Sequence, residues 1–167
     1  FGAPTLDANG DPIDLTNQPL ASRVDRKINL AAGERPDILG DQMTWWVMND
    51  RGNQHTRTQT PSMGVEVHGS AFAFNTAGAI GNTTFYKYRI MYKGSVPLEN
   101  AYMGIFDDPD LGAAFDDYVG SDTTLGLGYV YNADNDDDGN YGPAPPALGY
   151  DFFQGPLVND NGIDDNG

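Results

Sequence analysis

Between Asp107 and Gly139 ten residues are aspartate and none is lysine or arginine. Two carboxylates about 4 Å apart repel by roughly 1 kcal/mol in water and about 4 kcal/mol at the effective dielectric of a protein surface, so folding such a segment calls for a counter-charge. The chain offers none nearby. A hard divalent cation with all-oxygen ligands, Ca²⁺, is the chemistry that these residue types fit. The candidate ligands are Asp107, Asp108, Asp110, Asp116, Asp117 and Asp122 in one acidic loop region (107–122), and Asp134, Asp136 and Asp138 in a second (134–140). In the first, Pro109 stiffens the Asp108–Asp110 turn and Gly120-Ser121 bends the chain before Asp122. In the second, Asp134-x-Asp136-x-Asp138-Gly139 follows the alternate-oxygen pattern that opens an EF-hand loop. The position of the bidentate Glu is held by Pro145, however, and no helix pattern flanks the segment. A calcium loop of another kind and an acidic hairpin joining two strands both remain open. Asp7, Asn9, Asp11 and Asp14 repeat an oxygen-rich spacing near the start of the chain, which reads as a calcium loop or as an acidic turn.

Other chemistry is poorly represented. The absence of Cys excludes disulfides, thiol catalysis and Cys-ligated zinc. Of the two histidines, His68 lies two residues from Glu66 in an alternating segment, so both share one strand face and form the best acid/base or ligand pair. No nucleophile motif or phosphate loop accompanies them, and the chain is not expected to be an enzyme. Asn82-Thr83-Thr84 is a formal glycosylation triplet.

The elements that position these residues are strands. Among 167 residues there are 21 Gly and 11 Pro, and the acids are nearly all Asp, which favours turns over salt-bridged helices. Met43–Asn49 reads as a strand whose adjacent Trp45 and Trp46 point to opposite faces. Met63–Gly69 alternates, with a continuation over 70–75 after a glycine irregularity. Thr83–Lys93 is the longest strand signal, with Tyr86, Tyr88, Ile90 and Tyr92 on one face. Ala101–Phe106, Leu125–Tyr131 and Leu148–Gln154 complete the set, and the glycines of 125–131 imply close packing over their face. Residues 141–147 form a proline-rich, extended connector. The expectation is an all-β fold, a two-layer antiparallel β-sandwich of immunoglobulin-like or jelly-roll-like kind, with long acidic metal-binding loops. An irregular N-terminal arm (1–42) precedes a β-sandwich module (43–156), and an acidic tail or linker (157–167) follows.

Charge divides the chain more sharply than hydropathy does. Residues 1–100 hold all nine Lys and Arg against ten acids, whereas residues 101–167 hold fourteen Asp and no base. A formal net charge of −15 repels nucleic acid and anionic membranes. No segment reaches the ~20 apolar residues of a membrane helix, and no membrane insertion is expected. The chain begins Phe1-Gly2-Ala3-Pro4, as a mature product or a piece of something longer does. The basic residues Arg23, Arg26, Lys27 and Arg35 are expected to dock against an acidic half, either their own or a neighbour's.

A series of motifs over about 41–156 resembles a functionally undefined module of large secreted Bacteroidetes-type surface proteins, which often end in a type IX secretion sorting domain. The motifs are Trp-Trp-Val-Met-Asn-Asp (45–50), Met-Gly-Val-Glu-Val (63–67), Asp-Asp-Pro-Asp-Leu-Gly (107–112), Asp-Asp-Tyr-Val-Gly-Ser-Asp-Thr-Thr-Leu (116–125), Gly-Tyr-Val-Tyr-Asn (128–132) and Pro-Pro-Ala-Leu-Gly-Tyr-Asp-Phe-Phe-Gln-Gly-Pro (145–156). Members usually carry Cys where this chain has Ser121. The resemblance implies export and use at the cell surface, and no reaction. Together, residues and resemblance point to a calcium-stabilised extracellular structural or adhesive module, a subunit of a surface layer, filament or fibre that self-assembles or contacts neighbouring modules. One rival is a carbohydrate-binding module that meets glycans through Trp45 or Trp46 and the tyrosines of 86–92. The other is a metal-dependent hydrolase using Glu66, His68 and the acidic cluster.

Overall fold

The computed structural model describes residues 3–13, 27–137 and 140–156. The chain is all-β, built from several antiparallel sheets, and among the described residues the only helical turns are two short 3-10 segments, Leu30–Ala32 and Ile80–Asn82. It divides into two compact units, Phe1–Asn100 and Ala101–Gly167, a boundary that falls inside the segment expected as one module.

In the first unit, strands β1 (Thr5–Leu6) and β2 (Arg35–Pro36) form a small ladder, so the arm expected to be irregular carries its own pairing. Between them, Asp7 turns the chain by accepting the N–H groups of Asn9 at 2.8 Å and Asp11 at 2.9 Å, with Gly10 at φ +91°. The segment forms an acidic turn over Asp7–Asp11; Asp14, Arg23 and Arg26 lie outside the described residues.

The main sheet of this unit is a meander of β3 (Gln42–Asn49), β4 (Val65–Ala73) and β5 (Thr84–Tyr92). The alternation read from the sequence appears as two faces. Register pairs Trp46 with Gly69 and Gly69 with Tyr88, placing them on one face with Tyr86, Ile90 and Tyr92. The opposite face carries Trp45, Glu66, His68 and Arg89, with Phe72 stacked on Phe85 at one end. No break occurs at Gly69. A Cβ there would lie 2.3 Å from the Trp46 indole, so the glycine makes room for a cross-strand ring within an unbroken strand.

In the second unit a three-stranded sheet runs in the order β10 (Ala147–Asp151), β7 (Leu127–Asn132), β6 (Asp117–Asp122). A small ladder joins β8 (Asp136–Asp137) to β9 (Gly142–Pro143). Three expectations change here. Residues 101–106 form no strand, and Tyr102 and Phe106 are almost fully exposed. Residues 117–122, expected as acidic loop, are a strand whose Tyr118 and Val119 pair with Tyr131 and Val130. The glycine face of β7 is open at Gly128; the covered glycines are Gly120, under the Tyr129 ring, and Gly149, beside Leu127. The expected connector over 141–147 contributes β9, and the tail 157–167 lies outside the described residues.

Among the described residues buried side chains are few, and many are polar. Leu111 and Val130 are the buried hydrophobic residues described, against Thr5, Ser70, Asn132 and Asp137 among polar ones. Asp137 is the most buried of these, at 1% exposure.

Candidate functional site

The acidic residues of the second unit fall into three groups. Asp107, Asp108 and Asp110 are exposed and line, with Asp117, a cleft of about 500 Å³ whose apolar side includes Val130, Tyr150 and Phe152. Asp122, Asp134 and Asp137 are spent on backbone donors. Asp122 Oδ1 accepts from the N–H of Thr124 at 2.9 Å and of Leu125 at 3.2 Å, closing the β6–β7 turn. Asp134 Oδ1 accepts from Asp136 N–H at 2.9 Å, in the same local turn chemistry. Asp136 is exposed, and Asp138 lies outside the described residues. Within the segment 134–140, Asp136 and Asp137 of β8 pair antiparallel with Pro143 and Gly142 of β9.

Asp137 did not stand out in the sequence, yet it organises this unit. Its Oδ1 accepts from Ala113 N–H at 2.7 Å, and its Oδ2 from Asn140 at 3.1 Å and Tyr141 at 2.6 Å. The N–H groups of Tyr141 and Ala113 hold its pKa below the ordinary 3.8, burial opposes them, and Asn140 adds to the lowering. Gly112 has φ +84°, and a Cβ there would sit 2.2 Å from Asp137 Oδ2, so only glycine lets the turn close on the carboxylate.

The third group is the corner where β6 begins and β7 ends. Asp117 pairs with Asn132 across the ladder, and Asp116 adjoins them, its carbonyl accepting from Ala133 N–H at 2.7 Å. Asp117 Oδ2 accepts from Leu111 N–H at 2.8 Å. Its Oδ1, together with Asp116 Oδ1 and Asn132 Oδ1, is buried without a hydrogen-bond donor. A buried acceptor left without a donor costs about 1–3 kcal/mol, more when charged. Among the described residues no three His, Asp or Glu side chains converge as a ready-made metal cage. At this corner the ladder partners Asp117 and Asn132, with Asp116 next in the chain, each carry one buried oxygen without a donor, and Asn132 is a member that sequence reasoning missed.

The first unit handles its acids differently. Glu66 meets His68 Nε2 at 3.0 Å and pairs with Lys93, as their shared strand face implies. Burial pushes the Glu66 carboxyl up, but the Lys93 and His68 contacts outweigh it and leave the pKa below 4.5. Trp45 packs edge-on against His68 at 5.7 Å. Asp50 accepts the N–H groups of Met63, Gly64 and Val65, which together outweigh burial and lower its pKa. On the other face Trp46 stands edge-on to Tyr88 at 6.2 Å, and Tyr86 and Tyr88 lie parallel at 6.5 Å.

No helix among the described residues is long and apolar enough to cross a membrane. Compared with known protein families, curated proteins and solved structures, the chain matches none.

Proposed function

We propose that this chain is a calcium-stabilised extracellular module with a structural or adhesive role, a building unit of a surface layer or fibre. The observation that carries the reading is that residues 101–137 and 140–156 fold with ten aspartates among them, in a half of the chain (101–167) that has no lysine or arginine. Backbone N–H groups compensate some of these carboxylates, and a divalent cation supplies the positive charge that no Lys or Arg of residues 101–167 offers. Extracellular placement, where calcium is millimolar, accords with the resemblance to secreted Bacteroidetes-type modules. A two-layer sandwich for the sheets belongs to the same proposal, as do contacts with neighbouring modules or further copies through the sheet-edge strands β3, β5, β6 and β10.

Thermal melts in millimolar Ca²⁺ and in chelator test the proposal. Extracellular-type sites bind at about 10⁻⁴ to 10⁻³ M, so the midpoint in calcium rises by the equivalent of about 1 kcal/mol per site. Equal midpoints overturn it.

A second reading is favoured by one observation, the exposed row of Tyr86, Tyr88, Ile90 and Tyr92 beside Trp46. Flat aromatic surfaces stack on sugar rings, and the unit would then be a carbohydrate-binding module. A glycan array on the intact chain and on Tyr88→Ala separates the two: glycan binding lost in the variant selects the second reading.

A further inference from the structure

We infer that the calcium ion seats at the β6–β7 corner, on Asp116, Asp117 and Asn132, and not on the exposed run Asp107, Asp108 and Asp110. The inference rests on the calcium reading and narrows it to one place and one ligand set.

Asn132 carries the argument. It is only 6% exposed, and its Nδ2 points at Asp134, 3.3 Å from the backbone oxygen. Both neighbouring groups of Asp134, the carbonyl and the carboxylate, accept hydrogen bonds, so the amide must turn its NH₂ toward them. Its Oδ1 therefore points the other way, buried and without a donor. A buried amide oxygen in that state awaits either a donor or a cation. The cross-strand partner of Asn132 is Asp117, whose own Oδ1 is buried without a donor while its Oδ2 is fixed by Leu111 N–H. Asp116, next in the chain, adds a third such oxygen. Three oxygen acceptors without a donor, two of them anionic, match a cation and not another hydrogen-bonding side chain.

The donor set also chooses the ion. Neither histidine lies in residues 101–167, and there is no cysteine, so zinc and the softer metals have no nitrogen or sulfur ligand here. Magnesium demands near-ideal octahedral geometry and dehydrates reluctantly, whereas calcium accepts six to eight oxygens in irregular arrangement, completing its shell with water and carbonyls. Two carboxylates neutralise one Ca²⁺. An ion at this corner ties the start of β6 to the end of β7, and through Asp117 to the turn at Leu111 that Gly112 continues toward Asp137.

The test is titration of the intact chain with Tb³⁺, displaced by Ca²⁺, read as terbium emission sensitised by Tyr118 and Tyr131, which flank the corner in sequence. Asp116→Asn, Asp117→Asn and Asn132→Ala are each expected to weaken binding about tenfold or more, in line with the dependence of affinity on ligand charge and number. The triple variant D107N/D108N/D110N is expected to weaken it less than any of them. Far-UV dichroism of each variant separates ligation from folding. A folded Asp117→Asn, which keeps an oxygen for Leu111 N–H but loses the charge, is expected to bind at least tenfold more weakly, and binding as tight as the parent's overturns the inference even if Asn132→Ala fails to fold. Binding abolished in the triple variant but unchanged in Asp116→Asn and Asn132→Ala moves the ion to the exposed run, overturning this inference and leaving the calcium reading standing. No binding of either ion by the parent chain overturns both.

Discussion

The two units of this chain solve one electrostatic problem with different materials. In residues 1–100 acids and bases are nearly balanced, and Glu66 sits between Lys93 and His68, so its charge is answered by side chains. In residues 101–167 no basic side chain exists, and Asp137 is answered by three backbone N–H groups. Asp50 shows that the backbone solution is available to the first unit as well. The lesson lies in cost. Side-chain pairing tolerates a flexible partner such as Lys93, 47% exposed, whereas pairing with N–H groups requires the main chain to hold one shape. The second unit should therefore be more sensitive to backbone change, to acid and to ions.

Gly112→Ala gives the largest expected effect. A left-handed conformation costs an L-residue about 1–2 kcal/mol, and the new methyl also meets the Asp137 carboxylate. Gly126→Ala is the control, because Gly126 also has positive φ, +66°, but the nearest atom to its Cβ would be 3.8 Å away. Denaturant titration should show Gly112→Ala losing clearly more stability than Gly126→Ala. Equal losses would mean that the fit around Asp137 adds nothing beyond backbone strain.

Acid comes next. The pKa values of Asp137 and Asp50 are both lowered in the folded chain, so each contributes stability that is complete above the unfolded value near 3.8 and disappears as pH falls through the lower folded value. Stability is expected to drop on acidification below about pH 4, and Asp137→Asn to flatten that drop. Both tryptophans, Trp45 and Trp46, belong to the first unit, so their emission follows that unit while far-UV dichroism follows the whole chain. Chelation of calcium should then lower the dichroism midpoint more than the tryptophan midpoint, and an equal fall in both would erase the distinction between the units.

How much of this was legible beforehand depended on whether packing or pairing decided each element. The alternation of Thr84–Tyr92 and the aromatic run of Gln42–Asn49 announce half-buried strands, and strands form there. Asp117–Asp122 hid because its Asp, Gly and Ser residues look like turn formers; its strand depends on β7, where the Tyr129 ring needs Gly120 beneath it. Residues 101–106 looked like a strand for the converse reason, having apolar side chains but no pairing partner among the described residues. In the second acidic loop the EF-hand-like spacing drew attention to 134, 136 and 138. Strand parity in β8 instead turns Asp137 inward and leaves Asp136 outside, a period-two signal present in the sequence but overshadowed by the motif. Asn132 gave no signal, because a buried amide oxygen becomes visible only once its ladder partner is known.

The smallest expected effect sharpens the comparison from the other side. Glu66→Gln removes the charge that Lys93 and His68 share but keeps an acceptor for His68, and Lys93 is exposed enough to return to water. Ion pairs of this kind contribute about 0–1 kcal/mol, so the variant should lose less than about 1 kcal/mol at pH 7. Because the Glu66 pKa is lowered below 4.5 by Lys93 and His68 against the opposing effect of burial, even that loss should vanish as pH falls and the parent carboxylate takes up its proton. Measured beside Asp137→Asn, the pair asks whether a carboxylate bound by side chains is more expendable than one bound by main chain. If Glu66→Gln proves as damaging as Asp137→Asn, the contrast drawn between the two units is wrong, and Glu66 has a role beyond neutralising its neighbours.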